Sequence, residues 1–244
     1  MQPKVLIGTP TCDLYAYCLE EYTQAVQSFS YPQYDICVVD NSKNEEYAKK
    51  VEAKGLRVLK DNYRELARDR IIHSRNMLRQ KVVDEGYDYL LSLEQDVIPP
   101  KDVIERLLAL KQPVVSGLYF NLNNAHEFPN LLPGTRELPL AYRLFAKEEA
   151  TKPVKEQQLR RLTKEEVQQP KKILVRMAGL GCVLIHRRVL EKIEFGYYSD
   201  TLHSDDRKFY DDVTTLKIPI VIDTSIKCQH LVRGRMWDWS NIKK

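Results

Sequence analysis

The chain has 244 residues, 43% of them hydrophobic and 30% charged, with nine glycines; this is the size and composition of one sizeable α/β domain and excludes fibrous and disordered classes. Its 38 basic and 34 acidic residues leave a net charge of +4, which gives no support to a nucleic-acid partner. Five scattered cysteines (Cys12, Cys18, Cys37, Cys182, Cys228) without a C-x-x-C pair argue against a disulfide framework and a zinc site.

No apolar run approaches the roughly 20 residues that span a bilayer, and the N-terminal segment enters a strand-like pattern at once, without a signal peptide. A cytoplasmic protein is expected, with peripheral membrane contact left open and the oligomeric state unspecified.

Residues 4–8 (KVLIG) are a short apolar run that ends in a Thr-Pro-Thr loop and reads as a buried strand. Asp13 is placed to cap a helix over 14–29, and 34–39 forms a second apolar strand that stops at Asp40-Asn41-Ser42. This is the β-α-β unit of a parallel sheet. The pattern repeats with a helix over 44–54, a strand over 56–59, a helix over 64–84 and a strand over 87–93 that runs into Glu94-Gln95-Asp96. A further helix opens with Pro100 in its first turn, and 114–120 is a fifth strand.

The alternation is lost over 121–172, where a strand over 138–145 is followed by a charged run with few apolar anchors, read as a solvated excursion or flap. Strands return at 173–177 and 178–185, the second entered through Gly179 and Gly181, then a helix over 187–193. Ser204-Asp205-Asp206 precedes another helix, and strands at 218–222 and 225–228 lead to His230.

Ligands of open parallel sheets bind outside the carboxyl ends of the strands. Asp40 occupies such a position after the second strand, and Glu94 and Asp96 follow the fourth. Alternation in an extended segment puts Glu94 and Asp96 on one side and Gln95 on the other, so the pair makes an oxygen-rich half-site for Mg²⁺ or Mn²⁺. Each residue also has a plainer reading: Asp40 as a turn cap, Arg75 as a solvated helix residue, His230 as a structural histidine, Asp205 and Asp206 as acids favoured at a helix N-terminus.

Taken in order, IGTPT, SFSYPQYDICVVDNS, SRN, YLLSLEQDVIPP, AGLGCVLIHRRVLEKI, SDDRKFYDDV and CQH resemble the signature of family 2-like glycosyltransferases of the GT-A fold, across nearly the whole chain except 121–172. The resemblance implies a single GT-A-type domain: a Rossmann-like, mostly parallel sheet flanked by helices, with a nucleotide-binding half (1–120), a variable flap (121–172) and a smaller, mixed acceptor and catalytic half (173–244). It implies an enzyme that moves a sugar from a nucleotide-diphosphate sugar, UDP- or GDP-linked, to a hydroxyl of a glycan, lipid or protein acceptor, with inversion.

By the same resemblance Thr9, Pro10, Asp40, Arg75, Glu94, Gln95 and Gly181 bind the nucleotide sugar, and Asn76, next to Arg75, also faces the nucleotide. Asp96 and His230, with Glu94 in the place of the usual first aspartate, hold Mn²⁺ or Mg²⁺. Asp206 is the general base, with Asp205 orienting it or contacting the acceptor. Gly179 and Gly181 either admit the backbone close to the substrate or make a tight turn, and the Arg- and Trp-rich segment 233–239 either folds over the diphosphate or packs as a plain tail. A nucleotidyltransferase is disfavoured because GTPTCD is not a glycine-rich basic phosphate loop; a non-catalytic nucleotide-sugar or glycan-binding module on the same fold is the alternative.

Overall fold

A computed structural model describes residues 2–122, 137–144, 159–198 and 205–231. The chain opens with β1 (Val5–Thr11), a 3-10 helix (Asp13–Cys18) that runs into α1 (Leu19–Gln27), β2 (Tyr34–Asp40), α2 (Glu46–Glu52), β3 (Val58–Lys60), α3 (Ala67–Asp84) and β4 (Tyr89–Leu93). It continues through β5 (Val97–Ile98), α4 (Val103–Leu108), β6 (Val114–Leu118), β7 (Phe120–Leu122), β8 (Glu137–Pro139) and β9 (Ala141–Leu144). The remaining elements are β10 (Leu159–Arg161), α5 (Lys164–Gln168), β11 (Lys172–Val175), β12 (Met177–Ala178), β13 (Cys182–His186), α6 (Arg187–Leu190), α7 (Asp205–Thr215), β14 (Ile220–Lys227) and β15 (Gln229–His230).

Eight strands form the central sheet in the order β11-β14-β6-β13-β4-β1-β2-β3. The neighbours β4, β1, β2 and β3 run parallel, as do β14 and β6. β13 is antiparallel to both β4 and β6, and β11 is antiparallel to β14. Alternation along the strands divides the core in two. Leu6 and Leu90 face α3 and α7 through Leu78, Val82, Phe209 and Val213. Val5, Ile7 and Leu91 face α1, α2 and α4 through Tyr22, Val26, Val51 and Ile104. Burial on both faces is why these strands read as continuous apolar runs. Small antiparallel sheets (β10-β9-β12, β15-β5, β7-β8) lie beyond the carboxyl rim.

Several expected boundaries move for identifiable reasons. The first strand extends through Thr11, so Thr9-Pro10-Thr11 is strand and not loop. Asp13 does not cap the following helix; it begins the 3-10 turn, and its N–H donates to Ser42 Oγ at 2.8 Å. In that turn the Tyr15 carbonyl accepts from Gln95 Nε2 at 2.8 Å and from the Cys18 thiol at 3.3 Å. Pro100 precedes α4, whose N-cap is Asp102.

The strand expected over 138–145 divides at Leu140, whose N–H donates to Tyr119 and whose carbonyl accepts from Gly179. The two late strands are one, β14, with a register shift between Ile222 and Lys227 where Asp223 accepts from Ser225. Within the charged run, Thr163 and Glu166 form a capping box at α5, and Leu162 and Val167 are buried. No helix among the described residues is long and apolar enough to cross a membrane.

Candidate active site

The carboxyl ends of β1, β2 and β4 enclose, with the first turns of α3, a cavity of about 230 Å³. Pro10, Thr11, Leu14, Tyr15, Asn41, Arg70, Arg75, Glu94 and Gln95 are among its lining residues. Thr9 is not: it is fully buried and its hydroxyl bonds the Tyr22 hydroxyl at 2.5 Å, on the core side of β1.

Asp40 is also fully buried. Its Oδ1 accepts from the Ser42 N–H at 3.0 Å and from the Ser42 hydroxyl, and its Oδ2 pairs with Lys60 Nζ at 2.9 Å. Both oxygens are thus committed to holding the β2 end against the β3 end, and it is the next residue, Asn41, that lines the cavity. A relay sets the orientation of that amide. Asp61, beside Arg64 and His73, accepts the Ser74 hydroxyl proton at 3.2 Å, so Ser74 Oγ must accept from Asn41 Nδ2, 3.1 Å away. This leaves the Asn41 carbonyl for the cavity side. Asp61 escaped the sequence reading although it directly follows β3, where the strand-end rule would have found it.

The Glu94-Gln95-Asp96 segment is not extended. β4 ends at Leu93, and the Val97 N–H closes on the Glu94 carbonyl at 3.0 Å, a turn that overrides strand alternation. The three side chains consequently diverge. Glu94 pairs with Arg75 Nη2 at 2.9 Å; Arg75, buried within α3, also donates to Ser92 Oγ at 2.8 Å. Gln95 turns inward, accepting from Thr11 and Tyr47 and donating to Tyr15, which ties the 3-10 turn to the β4 end. Asp96 is fully buried and faces Tyr17 (3.4 Å) and His230.

His230 reaches Asp96 because β15 pairs antiparallel with β5, setting His230 opposite Val97, and the Leu231 N–H donates to the Asp96 carbonyl at 2.7 Å. Nδ1 of the ring lies 2.9 Å from the Phe120 carbonyl and Nε2 lies 3.4 Å from Asp96 Oδ2, so with Nδ1–H on the carbonyl the Nε2 position faces the carboxylate either as a lone pair in the neutral ring or as an N–H donor in the protonated one. Burial lowers the basicity of this imidazole, but the hydrogen bond and charge of Asp96, the Phe120 carbonyl and the charge of Glu94 outweigh it and raise its pKa above the ordinary value.

The neutral ring and the carboxylate present their lone pairs to one shared point, which a proton or a metal ion can occupy, and an N–H anchored on a carbonyl is how metal-binding histidines are commonly oriented. The pair therefore fits a divalent ion. Among the described residues no cluster of three or more His, Cys, Asp or Glu side chains is placed to hold a metal, so such an ion would complete its shell with oxygens of a bound ligand or water. All five cysteines are free thiols.

Beside His230, the Tyr119 phenol is buried against the Gly179–Gly181 turn, and its Oη accepts from the Gly181 N–H at 2.9 Å. A Cβ on Gly179 would stand 2.0 Å from that Oη and one on Gly181 2.6 Å. Both glycines make room for the phenol, and Gly181 also for the Glu94 carboxylate, whose Oε2 would stand 2.9 Å from its Cβ. Burial first, then the charges of Glu94 and Asp206, push the Tyr119 pKa well above its usual value, so it stays a neutral hydroxyl.

Asp206 lies in the first turn of α7, and its charge also acts on the buried Tyr210. Asp205 begins that helix; its side chain, like Ser204 and segment 233–239, lies outside the described residues. Asn76 does not face the cavity: its amide donates to the Phe195 carbonyl at 3.0 Å and accepts from the Phe195 N–H at 2.9 Å. Phe195 stacks on Phe209 of α7 at 5.2 Å. Through Arg75 and Asn76, α3 therefore braces both the Glu94 turn and the helix that carries Asp206.

No family model and no curated protein matches the chain by sequence. Solved structures do. A crystal structure of GalNAc-T7 with UDP, GalNAc and Mn²⁺ superposes with a TM-score of 0.66 at 13% identity, over 97% of this chain and 45% of that one. The mannosyltransferase PcManGT from Pyrobaculum calidifontis, in complex with GDP-Man and Mn²⁺, gives 0.60 at 15% identity, over 96% and 59%. The chain thus spans about half the length of these proteins. At such identities the likeness is one of fold, and that fold, a large mostly parallel sheet flanked by helices with small antiparallel sheets at its rim, is the GT-A fold of glycosyltransferases.

Proposed function

We propose that this chain is a family 2-like glycosyltransferase that binds a UDP- or GDP-linked sugar with a divalent cation and transfers the sugar, with inversion, to an acceptor hydroxyl. The observation that carries the reading is the buried Asp96–His230 pair, which follows directly on Glu94 and Gln95 of the cavity wall. The metal-bound, nucleotide-bound state of the fold neighbours supports it.

In this reading the cavity between β1 and α3 takes the nucleoside, with Asn41 offering an acceptor and Tyr15 an aromatic face. Asp96 and His230 hold Mn²⁺ or Mg²⁺, which when bound neutralises charge on the departing diphosphate. Arg75 keeps Glu94 turned toward the cavity, and the cation it brings to the wall offsets anionic charge there. Asp206 accepts the proton of the attacking hydroxyl, and Asp205 orients the acceptor. Gln95 and Asp40 serve as supports: their polar atoms are committed to Thr11, Tyr15 and Tyr47, and to Ser42 and Lys60.

Calorimetric titration with UDP, GDP, dTDP, CDP and ADP and their sugars, with and without Mn²⁺, tests the binding step, and NMR of the product anomer tests the stereochemistry. Saturable, Mn²⁺-dependent binding of one nucleotide and transfer with inversion are expected. Absence of nucleotide binding overturns the reading; binding without transfer to any acceptor leaves the non-catalytic module; a retained anomer removes Asp206 as base.

A further inference from the structure

The geometry points to Tyr119 as a positioning residue that holds the acceptor-side turn Gly179–Gly181 and the ring of His230 as one unit. The inference rests on the function proposed above. β6 ends at Leu118, and the next side chain turns inward behind the site, where only 3% of Tyr119 is exposed.

On one side its Oη accepts the Gly181 N–H at 2.9 Å, and the Gly181 carbonyl accepts from the Glu94 N–H at 3.0 Å. The Gly181 residue is therefore fixed at both ends, to the phenol and to the metal-side turn. On the other side the ring stands edge-on to His230, with centroids 5.3 Å apart and planes at 83°. The backbone repeats the connection: the Tyr119 carbonyl accepts from Leu140, the Leu140 carbonyl accepts from Gly179, and the adjoining Phe120 carbonyl lies at His230 Nδ1.

Volume exclusion acts independently of the hydrogen bonds. With 2.0 Å between Oη and a Cβ at Gly179, and 2.6 Å at Gly181, the phenol and any side chain at these positions exclude one another. Two glycines and one tyrosine thus form a matched set, and moving the turn means moving the ring that touches His230. The charges of Glu94 and Asp206 both reach the phenol.

The test is Tyr119→Phe, which keeps the ring against His230 and removes the acceptor of the Gly181 N–H. Leaving a buried N–H without a partner is expected to speed exchange of the Gly181 amide by about tenfold or more. It should raise acceptor KM about tenfold while the Kd for nucleotide with Mn²⁺ stays within about twofold. Gly179→Ala, which drives a methyl into the phenol, is expected to shift the His230 imidazole resonances as well. Wild-type Gly181 exchange in Tyr119→Phe overturns the inference. So does a parallel loss of donor and acceptor affinity, the mark of general loosening. Should the wild-type chain transfer no sugar, the proposed function falls, while the Gly181 exchange rate and the His230 resonances still decide whether Tyr119 couples the two segments.

Discussion

Nε2 of His230 stands 3.4 Å from Oδ2 of Asp96, with the opposite ring nitrogen anchored 2.9 Å from the Phe120 carbonyl. If the pair holds the divalent ion as proposed, removing either partner takes away half of the protein's share of that site. Asp96→Asn and His230→Ala are each expected to weaken Mn²⁺-dependent nucleotide binding by about tenfold to a hundredfold, the range seen when even supporting groups of metal sites are lost. Titrating Mn²⁺ against nucleotide-saturated protein reads this directly. Phe120 contributes its carbonyl, so substitution of its side chain should leave the Mn²⁺ affinity nearly intact.

Asp206 is expected to act on turnover and not on donor binding. Asp206→Asn preserves shape and hydrogen-bonding capacity but cannot accept the acceptor proton, so kcat should fall by about 10²- to 10⁴-fold with nucleotide Kd within about twofold. Steady-state rates and calorimetry on the same preparation separate the two. Normal turnover by this variant would remove Asp206 from the chemistry.

The acid limb of stability should carry the signature of Glu166. Its carboxylate takes both Nη1 and Nη2 of Arg160 at 2.7 and 2.8 Å and caps α5 through the Thr163 N–H at 2.8 Å. The Arg160 hydrogen bond, against an opposing effect of burial, lowers its pKa from about 4.5 to about 2. A folded pKa below the unfolded one means stability that is fully present above about 4.5 and lost as pH falls toward 2. Allowing for partial exposure, the contribution is on the order of 1–2 kcal/mol. Glu166→Gln should therefore melt lower than wild type at pH 7, and the gap should close between pH 4.5 and 2.

The parallel half of the fold was legible because its strands are buried on both faces and its helices end at Gly55 and Gly86, where φ is +77° and +71°. The rim was less so. Strand alternation put Glu94 and Asp96 on one side, but a turn there sends them to Arg75 and His230. Tyr119 was invisible as a site residue because its role exists only through contact with two glycines about sixty positions away. The same holds for Asn41: the sequence singles out Asp40, and only the Lys60 ion pair shows that Asp40 turns away from the cavity that Asn41 lines.

That neighbouring pair gives the sharpest separation between folding and binding. Asp40 is fully buried against Lys60, itself about a third exposed. Asp40→Asn leaves the lysine without its counter-charge, a change that costs about 3 kcal/mol for a buried pair and somewhat less here. For a domain of this size the melting midpoint should fall by about 5–10 °C. Asn41→Ala removes no ion pair and should move the midpoint by far less, but it deletes the acceptor that Asp61 and Ser74 orient toward the cavity. Nucleotide affinity is then expected to drop by about tenfold. Ser74→Ala should produce a similar loss although Ser74 is no part of the cavity lining, because the released amide can turn its N–H groups to the ligand instead. Melting curves and nucleotide titrations on the three variants decide the point: if Asp40→Asn weakens binding with an unchanged melting midpoint while Asn41→Ala binds normally, the base is read by the aspartate and the relay has no part in it.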